Sequence, residues 1–244
     1  MEPSIAYEDV VDESLLSKCS DFCKEVLQYD EDNLRLWYKA SFIHKHDFVK
    51  DILDPFIRQY LPIKDAKLIG DTAFMLKFPP HDVHVDNETD KYPNTKPYKT
   101  VVIPVHIEGD TIPKFFTANQ YFFSDRTTRF RRGSKQRDLG IPGLVQQMND
   151  GIFFCYDYEK AGVQFLENSP VLSKEWYDDN IDAGDAIKYE NFHGLSIEKE
   201  HNWKPGNMIM FDSNRLHFSQ NLAKINCQYK IGISLNYALD VSSV

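Results

Sequence analysis

Two blocks of short, β-prone runs constrain this chain more than any other feature. The first block holds AKLIGDTAFMLKF running into Pro79-Pro80, then KTVVIPVHI running into Glu108-Gly109-Asp110, then KFFTANQYFF. The second holds Gly206 to Phe211 (GNMIMF) and Tyr229 to Tyr237 (YKIGISLNY). Val, Ile, Tyr and Phe suit a pleated, half-buried surface, and the Gly, Pro and Asp between the runs supply turns. No helical patterns alternate with these runs, so an antiparallel sandwich or barrel is expected, not a parallel α/β sheet.

Helical periodicity appears only before residue 62. Leu15, Leu16, Cys19, Phe22, Cys23, Val26 and Leu27 recur at helical spacing after Asp12, Glu13 and Ser14, which suit a helix start. Phe48, Val49, Ile52, Leu53, Phe56, Ile57 and Tyr60 mark one face of a second helix, which Pro62 ends. The expected organisation is one domain over 1–244: a helical N-terminal flank at 1–62, a β core at 66–240, and an insertion at about 125–200. Long connections in compact domains are commonly functional, so the insertion reads as a lid or substrate-facing element.

Bulk charge narrows the partners. A formal net charge of -9 repels polyanions, which argues against nucleic acid and anionic membrane surfaces. Arg126 to Arg137 (RTTRFRRGSKQR) is a local basic island, read either as a solvated loop or as a site for an anionic group. Cys19, Cys23, Cys155 and Cys227 show neither paired CxxC spacing nor a small-domain disulfide framework, which fits a reducing compartment. The acidic N-terminus has no apolar h-region and no run approaches 18 apolar residues, so a soluble, cytoplasmic protein is expected. Neither a nucleophile elbow, a P-loop nor a dinucleotide fingerprint is present.

The run PPHDVHVDNETD places His84 and Asp86 two apart. In an extended segment residues i and i+2 face the same way, so an imidazole and a carboxylate can converge on one ion. Chance supplies about one His-x-acid pair in a chain with 8 His and 37 Asp plus Glu, and His106-Ile107-Glu108 is a second such pair. Spacing cannot choose between them. Further along, WKPGNMIMFDSNRLHFSQ gives a Pro205-Gly206 turn, an apolar run to Phe211, a polar connection and His217. In YKIGISLNY, Lys230, Gly232, Ser234 and Asn236 alternate with Tyr229, Ile231, Ile233 and Leu235. A lysine facing the interior of a β-fold calls for an anion to offset its desolvation. A bound dicarboxylic acid would supply one, with Ser234 as a second donor and Gly232 leaving room.

In the order of these pieces the chain resembles the Fe(II)/2-oxoglutarate-dependent dioxygenase superfamily: His84-Val85-Asp86, then Pro-Gly, a strand ending in Phe211, His217, and Lys230 thirteen positions on, followed by Ser234. The resemblance spans roughly 66–240. It implies a double-stranded β-helix, a cupin-like jelly roll. It implies His84, Asp86 and His217 as iron ligands, with Lys230 and Ser234 holding the distal carboxylate of 2-oxoglutarate. Two His and one carboxylate cover one face of an octahedral ion and leave the other open. The implied reaction is hydroxylation of a small-molecule or peptidyl substrate with O2, releasing succinate and CO2, with ascorbate as an optional reductant. An acid at 86 favours hydroxylation over halogenation. Lysine at 230 is more like the prolyl-hydroxylase-like branch than the phytanoyl-CoA-hydroxylase-like one, but the His84 to His217 span is longer than that branch usually needs.

Asn214, Arg215 and Gln120 are candidates for supporting contacts. A zinc cluster of His81, His84 and Asp86 leaves His217 and Lys230 unexplained. The run Asp178, Asp179, Asn180, Asp182 approaches a calcium loop, but its glycine is displaced by one and Tyr189 stands in place of the twelfth-position acid. A non-catalytic cupin-like metal-binding or structural protein stands as the alternative to the enzyme.

Overall fold

The computed structural model describes residues 3–29, 37–41, 43–77, 95–120, 172–182, 195–213 and 215–240. Among these, nine strands form two antiparallel sheets. Strands β1 (Ile5–Tyr7), β2 (Trp37–Ser41), β3 (Lys67–Leu76), β4 (Thr95–Gly109), β7 (Met208–Asp212) and β9 (Cys227–Asp240) make the larger sheet, in the order β1-β7-β4-β9-β3-β2. Strands β5 (Lys114–Gln120), β6 (Leu195–Asn202) and β8 (Leu216–Ser219) make the smaller one, in the order β6-β5-β8. Consecutive β7, β8 and β9 thus alternate between sheets, which is the jelly-roll wrapping that the family resemblance implies. Two of the larger sheet's strands, β1 and β2, come from the N-terminal flank, where only helices are expected.

The sheets have three apolar layers. Helix α1 (Glu13–Leu27) begins where the Asp12 carboxylate accepts from the Leu15 amide at 2.7 Å, satisfying one of the first-turn donors. It buries Cys19, Phe22, Cys23 and Leu27 on the outer face of the larger sheet, against residues such as Met75, Ile103, Ile233 and Leu235. A π turn over Val49–Leu53 leading into α2 (Asp54–Arg58) adds Leu53 and Ile57 to the same layer. Each such side chain, fully buried, contributes about 1.5–3 kcal/mol. On the far side, α3 (Lys174–Asn180) packs Tyr177 on Phe116 and Phe218 of the smaller sheet.

Between the sheets lie Val102, Phe115, Trp203, Ile209 and Phe211, joined by Phe74 and Ile107. Strand β4 runs between β7 and β9 although it contains Pro97 and Pro104, which lack the amide a ladder needs. The register against β9 slips at both, between Pro97 and Lys99 and between Pro104 and His106, so bulges absorb the missing donors. The turn into β7 uses Gly206 at φ +94°, and its carbonyl accepts from the Val11 amide at 2.9 Å, tying the start of α1 to the sheet. Among the described residues, no helix is long and apolar enough to cross a membrane.

Candidate functional site

Antiparallel pairing puts His217 of β8 opposite Thr117 of β5, and Ser219 opposite Phe115, so all four side chains share the face turned to the larger sheet. His217 is 3% exposed. Its ring lies 4.6 Å from the Phe211 ring and 5.5 Å from the Phe115 ring, measured between centroids. Nδ1 is 3.1 Å from the Arg215 carbonyl oxygen, which can only accept, so Nδ1 carries a proton, and in the neutral imidazole Nε2 carries the lone pair. That tautomer suits an imidazole that binds metal through Nε2.

Strand β9 delivers the second element. Tyr229, Ile231, Ile233, Leu235 and Tyr237 enter the helix-covered core, and the residues between them face the smaller sheet. Lys230 is 1% exposed. Its Nζ donates to Ser219 Oγ at 2.6 Å and stands 4.0 Å from the centroid of the Trp203 ring. Burial lowers its pKa from 10.5 to about 7, with the nearby Cys227 thiol opposing the shift. Among the described residues no carboxylate pairs with it.

Two further polar atoms are buried here without a partner among the described residues: Ser234 Oγ and Trp203 Nε1. An unmade hydrogen bond at such an atom costs about 1–3 kcal/mol, which favours an acceptor beside each of them. A cation and two such donors in the inter-sheet space fit a carboxylate. Gly232 differs from its sequence reading in one respect. The space it leaves is occupied by the indole: a Cβ there would lie 2.6 Å from Trp203 Cζ2 and 2.9 Å from Phe74 Cζ.

His217, Lys230 and Ser234 are therefore brought to the same inter-sheet space, whereas His84 and Asp86 lie outside the described residues, as do Asn214 and the Gln120 side chain. The rival pair is placed elsewhere. His106 Nε2 and Glu108 Oε2 are 3.3 Å apart and both half exposed, and the His106 ring packs 5.6 Å from Tyr229, on the helix-covered side of β9. Sequence reasoning missed Ser219 and Trp203. Ser219 was within reach, being two residues after His217 on a strand, but nothing local reveals where the Trp203 side chain points.

No protein-family model matches the chain, and no curated protein matches its sequence. Solved structures do match. The non-haem α-ketoglutarate-dependent carbocyclase SnoK from nogalamycin biosynthesis aligns with a TM-score of 0.52 at 11% identity, covering 97% of this chain and 79% of that one. The epimerase SnoN in complex with Fe3+, α-ketoglutarate and nogalamycin RO aligns at 0.52 and 9%, covering 97% and 78%. The chain thus has the double-stranded β-helix fold of the Fe(II)/2-oxoglutarate-dependent oxygenases.

Proposed function

We propose that this protein is an Fe(II)- and 2-oxoglutarate-dependent oxygenase that hydroxylates a small-molecule or peptidyl substrate. The observation that carries the reading is Lys230, a buried cation in the same inter-sheet space as His217 and as Ser234 Oγ and Trp203 Nε1, neither of which has a partner among the described residues. His217, with His84 and Asp86 from the segment before β4, holds the iron. Lys230 and Ser234 hold the distal carboxylate of 2-oxoglutarate, and that anion offsets the desolvation of the ammonium. Bound iron and 2-oxoglutarate together supply oxygen activation coupled to decarboxylation, giving succinate and CO2.

The chain's own contributions are orientation and exclusion of water. The Arg215 carbonyl keeps the His217 proton on Nδ1, and the Phe211 and Phe115 rings hold the imidazole plane. A carboxylate at 86 favours hydroxylation over halogenation. The expected setting is a reducing, cytoplasmic compartment, consistent with the buried thiols of Cys19, Cys23 and Cys227.

Anaerobic addition of Fe(II) and 2-oxoglutarate should produce a weak visible charge-transfer band, and admission of air should release succinate. Asp86→Ala should lose both. Iron binding and turnover that persist in Asp86→Ala would show that the ligand set is wrong; absence of both in the wild type would leave a cupin-like binding protein as the better reading.

A further inference from the structure

A buried polar chain leads away from His217 along the smaller sheet. The register of β6 against β5 passes from Ala118↔Ile197 to Thr117↔Lys199, so Glu198 is the bulged residue without a ladder partner. Its Oε1 is 2.8 Å from Arg215 Nη1, with the two side chains 13% and 3% exposed. Its Oε2 accepts from Thr117 Oγ1 at 3.0 Å and lies 3.4 Å from Ser4 Oγ. Ser4 Oγ is in turn 2.7 Å from Thr117 Oγ1 and 2.9 Å from His201 Nε2.

A buried ion pair is a poor source of stability, because desolvating both charges offsets most of their attraction. What this pair does anchor is the guanidinium of Arg215, the residue whose carbonyl meets His217 Nδ1. The rest of the connection from β7 is held in the larger sheet: Lys99 Nζ reaches Asp212 Oδ1 at 2.7 Å, the Ser213 amide donates to the Tyr98 carbonyl at 3.1 Å, and Thr100 Oγ1 donates to Ser213 Oγ at 3.1 Å. Arg215 closes the turn by donating its amide to the Asp212 carbonyl at 2.7 Å. Glu198 clamps it from the other sheet.

We infer that Glu198 is a positioning residue for His217, acting through Arg215: it holds the carbonyl that keeps the proton on Nδ1 and leaves Nε2 to bind metal. The consequence for metal binding rests on His217 being an iron ligand; the consequence for the tautomer does not. The experiment therefore reads both in the full chain. Nitrogen-15 spectra of the metal-free protein, with His217 signals identified by their loss in His217→Ala, should show one tautomer protonated at Nδ1. Glu198→Gln should show a mixture of tautomers and bind Co(II) roughly 10–100-fold more weakly. Arg215→Lys keeps the charge but not the planar fork, and should show the same change in smaller degree.

A folded Glu198→Gln with the wild-type tautomer and Co(II) affinity overturns the proposal. Should Glu198→Gln not fold, unchanged tautomer populations in Arg215→Lys overturn it instead. Wild-type Co(II) binding no tighter than that of His217→Ala would sink the iron reading, while the tautomer measurement would still decide the role of Glu198.

Discussion

Lys230 on the larger sheet and Ser219 on the smaller one meet at 2.6 Å, so the hydrogen bond that holds the buried ammonium also ties the two sheets together two residues from His217. Its energetics are lopsided. One hydroxyl and one ring face do not replace the water an ammonium loses, which is why its pKa falls to about 7.

That shift sets a pH dependence. Below about 7, Lys230 is charged both folded and unfolded and its burial costs the most. Between about 7 and 10.5 the unfolded chain holds a proton that the folded protein has released, so ligand-free stability rises with pH. Lys230→Met removes the charge at similar length. In thermal melts of ligand-free protein it should exceed the wild type near pH 6–7, at about 2–4 °C per kcal/mol of relief, and the gap should close toward pH 10. The same variant should bind 2-oxoglutarate at least roughly thirtyfold more weakly by titration calorimetry. A gap independent of pH would mean that Lys230 is not a desolvated charge.

Trp203 and Gly232 should be energetically coupled. A methyl added at 232 meets the six-membered ring of the indole at 2.6 Å and Phe74 at 2.9 Å, so Gly232→Ala should cost about 1–3 kcal/mol in denaturant unfolding. Trp203→Phe removes that edge of the indole. The double variant should therefore be more stable than the sum of the two single effects implies, by roughly 0.5 kcal/mol or more. Strict additivity would place the overpacking on Phe74 alone.

How far the sequence reached depends on whether a local rule fixes the outcome. The alternation in YKIGISLNY is a period-two pattern, and β9 obeys it because one face meets helices and the other meets the smaller sheet. Asp12 as a helix start followed from capping chemistry. Strands β1 and β2 escaped because three- and five-residue edge segments carry too little periodicity, and their pairing with β7 and β3 is decided by tertiary contacts. Trp203 was visible as a residue but not as an occupant of the space above Gly232. Glu198 carries no local signal in the sequence, because a bulge and the distant Arg215, Thr117 and Ser4 are what make it interior.

The Asp12 cap gives a stability change that should leave ligand binding untouched. Asp12→Ala should lower unfolding stability by about 1 kcal/mol, since the Leu15 amide loses its acceptor. Its 2-oxoglutarate affinity should match the wild type, because α1 lies on the outer face of the larger sheet. A loss of affinity comparable to the Lys230→Met effect would mean that the helix layer and the inter-sheet space are coupled.

His201 sets the behaviour in acid. It is 6% exposed, bonded to Ser4 Oγ, and desolvation lowers its pKa from 6.5 to about 4, with Lys199 adding to the shift and Glu198 opposing it. The sign follows from which state holds the proton. Above 6.5 both folded and unfolded chains carry a neutral imidazole; between 6.5 and about 4 the unfolded chain is protonated and the folded one is not. Acid therefore withdraws stability across that window, by at most one proton's worth of slope. His201→Gln keeps a polar atom toward Ser4 but cannot titrate. Denaturant midpoints followed from pH 7 to pH 4 should fall less steeply for this variant than for the wild type, and parallel curves would assign the acid sensitivity to other groups.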